Sequence, residues 1–136
     1  MRFCSVRVLA VEGSITLNSA AAELEYFMLY EKMMIAWKAC DLEGWKSCYH
    51  PDYTFVSHAN GNIMSSDDIS EEMMLGMMQN MKLEEQRCIY EDENIIVEHS
   101  LATFGSGVKE AVMAVHMKKD GLIWQTETGA TPLGNT

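Results

Sequence analysis

The stretch that decides the architecture runs Trp37-Lys-Ala-Cys-Asp-Leu-Glu-Gly-Trp45-Lys-Ser-Cys-Tyr-His50-Pro-Asp-Tyr-Thr-Phe-Val-Ser-His58. Its first residues close a helical pattern that reaches about Cys40. Asp41-Leu-Glu-Gly44-Trp45 then reads as a tight break and a short second helix, which Pro51 ends because proline disfavours helix at the residue before it. Residues 53–58 are β-branched or aromatic and are bounded by a turn at Asn60-Gly61, so they read as a strand. Helix, short helix and strand follow one another with almost no linker.

Upstream, Ser19 begins a helix-forming run through Ala20, Ala21, Ala22 and Glu23. Leu24, Phe27, Met34 and Trp37 recur at helical spacings, giving one long amphipathic helix from residue 19 to about residue 40. Residues 1–18 do not share this pattern. Cys4, Val6, Val8 and Ala10 alternate as in a short extra strand, and an untethered extension fits equally well. Downstream, Ser65 or Ser66 caps a further helix with Asp67 and Asp68 in its first turn, and Ile69, Met73, Met77 and Met81 step along it by four. From Leu83 the period becomes extended, in segments 83–91, 95–104, 109–119 and 122–128, joined by Glu91-Asp-Glu-Asn94, Gly105-Ser-Gly107 and Lys119-Asp-Gly121. The Asp-Gly pair is a hairpin signal. Helices first and an antiparallel meander afterwards make the fold class α+β.

Composition bounds the rest. The chain has 136 residues, 48% of them hydrophobic and 22% charged, which suits one globular domain with a real core. Ten Lys and Arg against 20 Asp and Glu give a net charge of -10, which argues against nucleic acid and anionic membrane as partners. The acidic runs Glu84-Glu85 and Glu91-Asp92-Glu93 read as a solvated edge and turn. Four cysteines, Cys4, Cys40, Cys48 and Cys88, form neither a C-x-x-C pair nor a zinc spacing, so reduced buried thiols and no metal are expected. Without an apolar leader or a membrane-length apolar run, a cytoplasmic protein is the default. Twelve methionines fit either a loosely specified core or an adaptable apolar cavity.

Three phrases in this order, Trp37 to Trp45, Tyr49-His-Pro-Asp-Tyr-Thr-Phe55 and Lys119-Asp-Gly-Leu-Ile-Trp124, resemble the nuclear transport factor 2-like superfamily, within it the SnoaL-like polyketide cyclase and ketosteroid isomerase group. The match covers about residues 20–132, so residues 19–136 are taken as one SnoaL-like domain behind the 1–18 extension. The resemblance implies a cone-shaped, curved, mainly antiparallel β-sheet wrapped by about three helices from the N-terminal half, a cystatin-like α+β roll. It also implies a pocket at the open end and homodimerisation through the outer sheet face. Members include dehydratases, isomerases, cyclases and non-catalytic proteins, so fold alone does not give function. The isomerase pair is missing: its tyrosine falls near Met33 and its aspartate near Ser57.

Histidine is the side chain most easily tuned for proton transfer near neutral pH. His99 shares a strand face by parity with Ile95, Val97, Leu101 and Thr103, an apolar setting that suits a general base. His58 closes the first strand near the expected pocket mouth, and dehydratases of the superfamily pair histidine with a carboxylate and tyrosines, for which the resemblance offers Asp52, Tyr49, Tyr53 and Tyr30 here. His116, with Val112 and Ala114, and Glu127, with Ile123 and Gln125, are further candidates for catalysis; a satisfied core or interface role is the competing reading for each. His50, beside Pro51, is expected to be solvated. Phe27, Tyr30, Met34, Trp37, Phe55, Met73, Met77 and Trp124 either line an apolar cavity or fill the core. Lacking a Gly-rich phosphate loop, the chain calls for no cofactor. The expected function is to bind a small, largely apolar carbonyl or polyketide-like molecule, as a cofactor-independent lyase, isomerase or cyclase; the alternative is a non-catalytic ligand-binding or dimerisation module.

Overall fold

The structure is a computed structural model that describes residues 29–134. The expectations for residues 1–18, for the first turns of the long helix and for Phe27 lie outside the described residues. Helix α1 (Leu29–Lys38) buries Leu29, Tyr30, Met33, Met34, Ala36 and Trp37, a stripe spaced as one helix face requires. It ends at Cys40, whose φ of 51° turns the chain sharply. Asp41 then caps α2 (Leu42–Lys46), its carboxylate accepting from the Gly44 N–H at 3.0 Å. A β-carbon at position 44 would collide with that carboxylate, so the Asp-Leu-Glu-Gly phrase carries its glycine for steric reasons.

Strand β1 (Tyr49–Val56) begins earlier than the proline suggested. Its pairing with β6 (Leu122–Pro132) slips between Tyr49 and Thr54, and Pro51 sits in that irregular stretch. His50 is held there, its Nδ1 accepting from the Asp52 N–H at 3.0 Å and its Nε2 3.6 Å from Asp120, so it is mostly buried rather than solvated. A hairpin through Gly61 adds a short strand, β2 (Ile63–Ser65), where helix was expected to resume. Ser65 and Asp68 close a capping box on a single 3-10 turn, Ser66–Asp68. Helix α3 (Glu71–Asn80) starts only after it, capped by Ser70, whose Oγ accepts from the Met73 N–H at 3.1 Å.

The meander follows as read: β3 (Lys82–Glu91), β4 (Ile95–Thr103), β5 (Lys109–Lys119) and β6, each antiparallel to the next. The sheet order is β2-β1-β6-β5-β4-β3, with β1 and β6 parallel. This is the expected α+β cone, a mainly antiparallel sheet that does not close, wrapped by helices. The core lies between α1 and the inner sheet face, where Leu29, Tyr30, Met33, Met34, Cys48, Ile96 and Ile123 pack together. The cysteines depart from the expectation of buried thiols: Cys48 is buried and free, Cys40 is exposed, and Cys88 is in a disulfide.

Glu91 is not part of a solvated turn either. Its Oε2 meets Lys118 Nζ at 2.7 Å, with side-chain exposures of 2% and 0%, and Lys118 also donates to the Asp92 carbonyl at 2.6 Å. The same carboxylate faces the Tyr30 N–H in the first turn of α1 at 3.4 Å. Burial pushes the Glu91 pKa up, while Lys118 and the helix amides pull it back. Removing one member of a buried pair strands the other charge. Lys118→Met is therefore expected to cost about 3–5 kcal/mol in urea unfolding. Lys118→Met with Glu91→Gln is expected to regain more than half of that loss, because an amide still serves the α1 N–H without an unpaired charge.

Candidate functional site

Residues paired across antiparallel strands point to the same face, so the register sorts the inner side chains from the outer ones. Ile96 pairs with His116, and Glu98 with Ala114; His116 pairs in turn with Thr126, and Ala114 with Thr128. Ile96, Ala114, His116 and Thr126 are all buried, which identifies this as the inner face. His99 pairs with Met113 and Arg87, both exposed, and so stands on the outer face beside Val97 and Leu101. Glu127 is exposed and pairs with Val115, also outside. His116 is the sequence candidate that lies at the centre of the cone.

His116 is held through Nδ1, 2.7 Å from Thr126 Oγ1. Its Nε2 lies 3.4 Å from Glu98 Oε1, within charge contact but outside hydrogen-bond alignment, and the two side chains are only 6% and 18% exposed. His116 Nε2 and Glu98 Oε2 are both buried without a hydrogen-bond partner. Buried polar atoms are nearly always satisfied, so two neighbouring exceptions single this spot out as the candidate site.

Three phenols surround the pair. The Thr126 hydroxyl also bonds Tyr53, linking that ring to His116. Burial raises the Tyr53 pKa to about 12, with the Thr126 bond opposing and the Glu98 charge adding to it. Tyr30 is pushed up further, by burial first and then by Glu98 and Glu91. Tyr49 is raised well above its ordinary value, chiefly by burial. All three thus stay protonated donors at neutral pH. The Tyr49 hydroxyl lies 3.5 Å from Met33 Sδ, a weak acceptor that a carbonyl oxygen would outcompete. The rings are placed by an aromatic row, Trp37 to Trp45 to Tyr49 to Tyr53, with centroids 5.1, 5.1 and 4.7 Å apart.

His58 stands nearer the opposite end of the inner face. Its Nδ1 is 2.6 Å from Thr128 Oγ1 and its Nε2 is 3.9 Å from Glu110 Oε2. Of the expected lining residues, Tyr30, Met34 and Trp37 are buried against the inner face, Met34 Sδ accepting from Gln86 Nε2 at 3.2 Å, and Phe55 pairs with Thr126 on β6. Met73 and Met77 are 50% and 42% exposed and line a separate open groove of about 330 Å³ with Gly76, Met81 and Phe104. Trp124 is half-buried under the Lys119 ammonium, 6.0 Å from its ring centre. Met113 is 43% exposed, on the outer face. Glu98 is the member of the cluster that parity on apolar residues missed, whereas Tyr30, Tyr49 and Tyr53 stand among the tyrosines the sequence offered. No group of three His, Cys, Asp or Glu suited to a metal ion occurs among the described residues. No helix among them is long and apolar enough to cross a membrane.

Residues 30–126 match the SnoaL-like domain, and the chain belongs to that family. Solved structures agree in fold. A candidate polyketide cyclase from Silicibacter sp. TM1040 shares 18% identity over 78% of this chain and 91% of its own, with a TM-score of 0.60. A candidate hydroxylase from Streptomyces galilaeus, AclR, shares 22% over 79% of each chain with a TM-score of 0.57. A candidate ketosteroid isomerase from Kribbella flavida shares 10% over 82% of each with a TM-score of 0.59. No match is found among curated proteins.

The raised phenols have a consequence at alkaline pH. For Tyr53 the folded value of about 12 exceeds the unfolded value, so its stabilising contribution is complete below that unfolded value, about pH 10. It is lost as pH rises towards 12. The melting temperature is expected to fall across that window, and Tyr53→Phe to flatten the fall; thermal unfolding at half-unit pH steps checks this.

Proposed function

We propose that the protein binds a small, largely apolar carbonyl compound of polyketide-like character inside the cone and moves a proton on it without a cofactor. The reaction class is isomerisation, cyclisation or elimination beside a carbonyl. The observation that supports this best is the adjacent pair of unsatisfied buried atoms, Glu98 Oε2 and His116 Nε2, ringed by phenols. Glu98 or His116 takes the proton next to the carbonyl, and Tyr53 with Tyr30 or Tyr49 donates to the oxygen on which charge develops. Apolar neighbours such as Met33, Met34 and Ile96 exclude water and hold the rest of the ligand. His99 and Glu127, on the outer face, take no part.

The outer face supports a second element of the proposal, homodimerisation. Val97, Leu101, Met113 and Val115 form an apolar patch there, with Met113 and nearby Tyr90 exposed. Sedimentation velocity is expected to show a dimer for the wild type and a monomer for Met113→Glu.

The catalytic reading is tested by incubating the protein in D2O with a panel of cyclic and aromatic ketones and following deuterium incorporation at the carbon beside the carbonyl. Glu98→Gln and His116→Asn are each expected to slow incorporation by about 10²–10⁴-fold. His99→Ala should leave it unchanged. Ketones that shift protein resonances of the inner face without exchanging would show a binding module instead.

A further inference from the structure

On β6, Thr126 and Thr128 lie two residues apart on the inner face, and each holds an imidazole through Nδ1, at 2.7 Å for His116 and 2.6 Å for His58. Each imidazole presents Nε2 to a carboxylate, Glu98 at 3.4 Å and Glu110 at 3.9 Å. The arrangement is the same twice, but its settings differ. The difference lies in the imidazoles, His116 being 6% exposed and His58 32%, while the carboxylates Glu98 and Glu110 are alike at 18% and 20%. Alternate residues of a strand are about 7 Å apart, a gap that one or two waters bridge. Ala114, which pairs with both Thr128 and Glu98, puts only a methyl group between them, and Ser100 lies on the same face of β4 as Glu98.

A buried acid/base pair that finishes a turnover in a changed protonation state needs a path to bulk water. We propose that His58 is the proton carrier between the inner Glu98–His116 pair and solvent, an inference that rests on the catalytic reading above. The proton leaves His116 Nε2 or the Glu98 carboxyl for a bridging water. That water gives one of its own protons to the Thr128 hydroxyl, which passes its proton to His58 Nδ1. The Nε2 proton of His58 then departs to water beside Glu110. The water and the Thr128 hydroxyl end with the protons they began with, the inner donor has lost one and bulk water has gained one. His58 keeps a single ring proton but now carries it on Nδ1 instead of Nε2, and returns to its first tautomer by exchange with bulk water. The groups facing His58 are Thr128 from β6 and Glu110 from β5; those facing His116 are Thr126, Glu98 and, through Thr126, Tyr53.

The test is the rate at which the His116 ring N–H exchanges with water, measured by NMR on protein labelled with 15N-histidine. His58→Gln, whose amide still bonds Thr128, is expected to slow this exchange at least tenfold. Added imidazole should restore it in proportion to concentration, which a purely structural effect would not produce. Equal rates in wild type and His58→Gln overturn the proposal, as does a slowed rate that imidazole does not rescue. Glu98→Gln separates the two readings. If it alters the His116 ring 15N shifts while His58→Gln changes nothing, the relay fails and the inner pair stands; if it leaves those shifts untouched, the inner pair itself fails.

Discussion

Lys118 and Glu91 meet at 2.7 Å where almost no water reaches either, and the placement of α1 follows from that contact. A buried ion pair of this kind adds little net stability compared with an apolar one, but it tolerates few alternative arrangements. Here the carboxylate also faces the first turn of α1 through the Tyr30 N–H, so one side chain ties helix to strand β5 from β3. With the start of the helix set, its buried stripe is set as well. Tyr30, Met33 and Met34 come down on the inner sheet face, and the Tyr30 phenol lies within electrostatic reach of Glu98.

The second support of the site comes from the other end of the same helix. The sharp turn at Cys40 and the Asp41 cap bring Trp45 against Trp37, and Trp45 passes the packing on through Tyr49 to Tyr53. The Trp-to-Trp phrase is in this sense one mechanical part. It turns a helix end into a row of rings that delivers a phenol to the Thr126 hydroxyl. Aromatic packing of this sort adds specific geometry to area burial.

Element order and strand bounds were legible because periodicity is a local property: all four meander strands fall within a few residues of the segments read from alternation. β2 and the late start of α3 were not, since Ser65 and Ser70 are equally good caps and only the pairing of Ile63 with Val56 decides between them. The site was half legible. Parity placed His99 among apolar neighbours, but in this protein the outer face carries apolar residues too, and the inner face bears Glu98, His116 and Thr126. An apolar stripe therefore does not by itself mark the enclosed face, and single-strand parity has no means of telling an inner face from an outer one. The helix methionines show the same limit, for equal spacing puts Met34 in the core and Met73 in solvent.

The parallel pairing of β1 with β6 joins Tyr49 to Ile123 and Val56 to Glu127, residues more than 70 positions apart. Contacts of that separation are slow to form, because a long loop must be closed before they reward the chain. During synthesis the first strand and both tryptophan-bearing helices leave the ribosome well before the strand that completes their sheet, and β1 waits with only the three residues of β2 beside it. Its aromatic face is then the segment most in need of protection from other chains, and the order of emergence makes the last strand the step on which escape from aggregation depends.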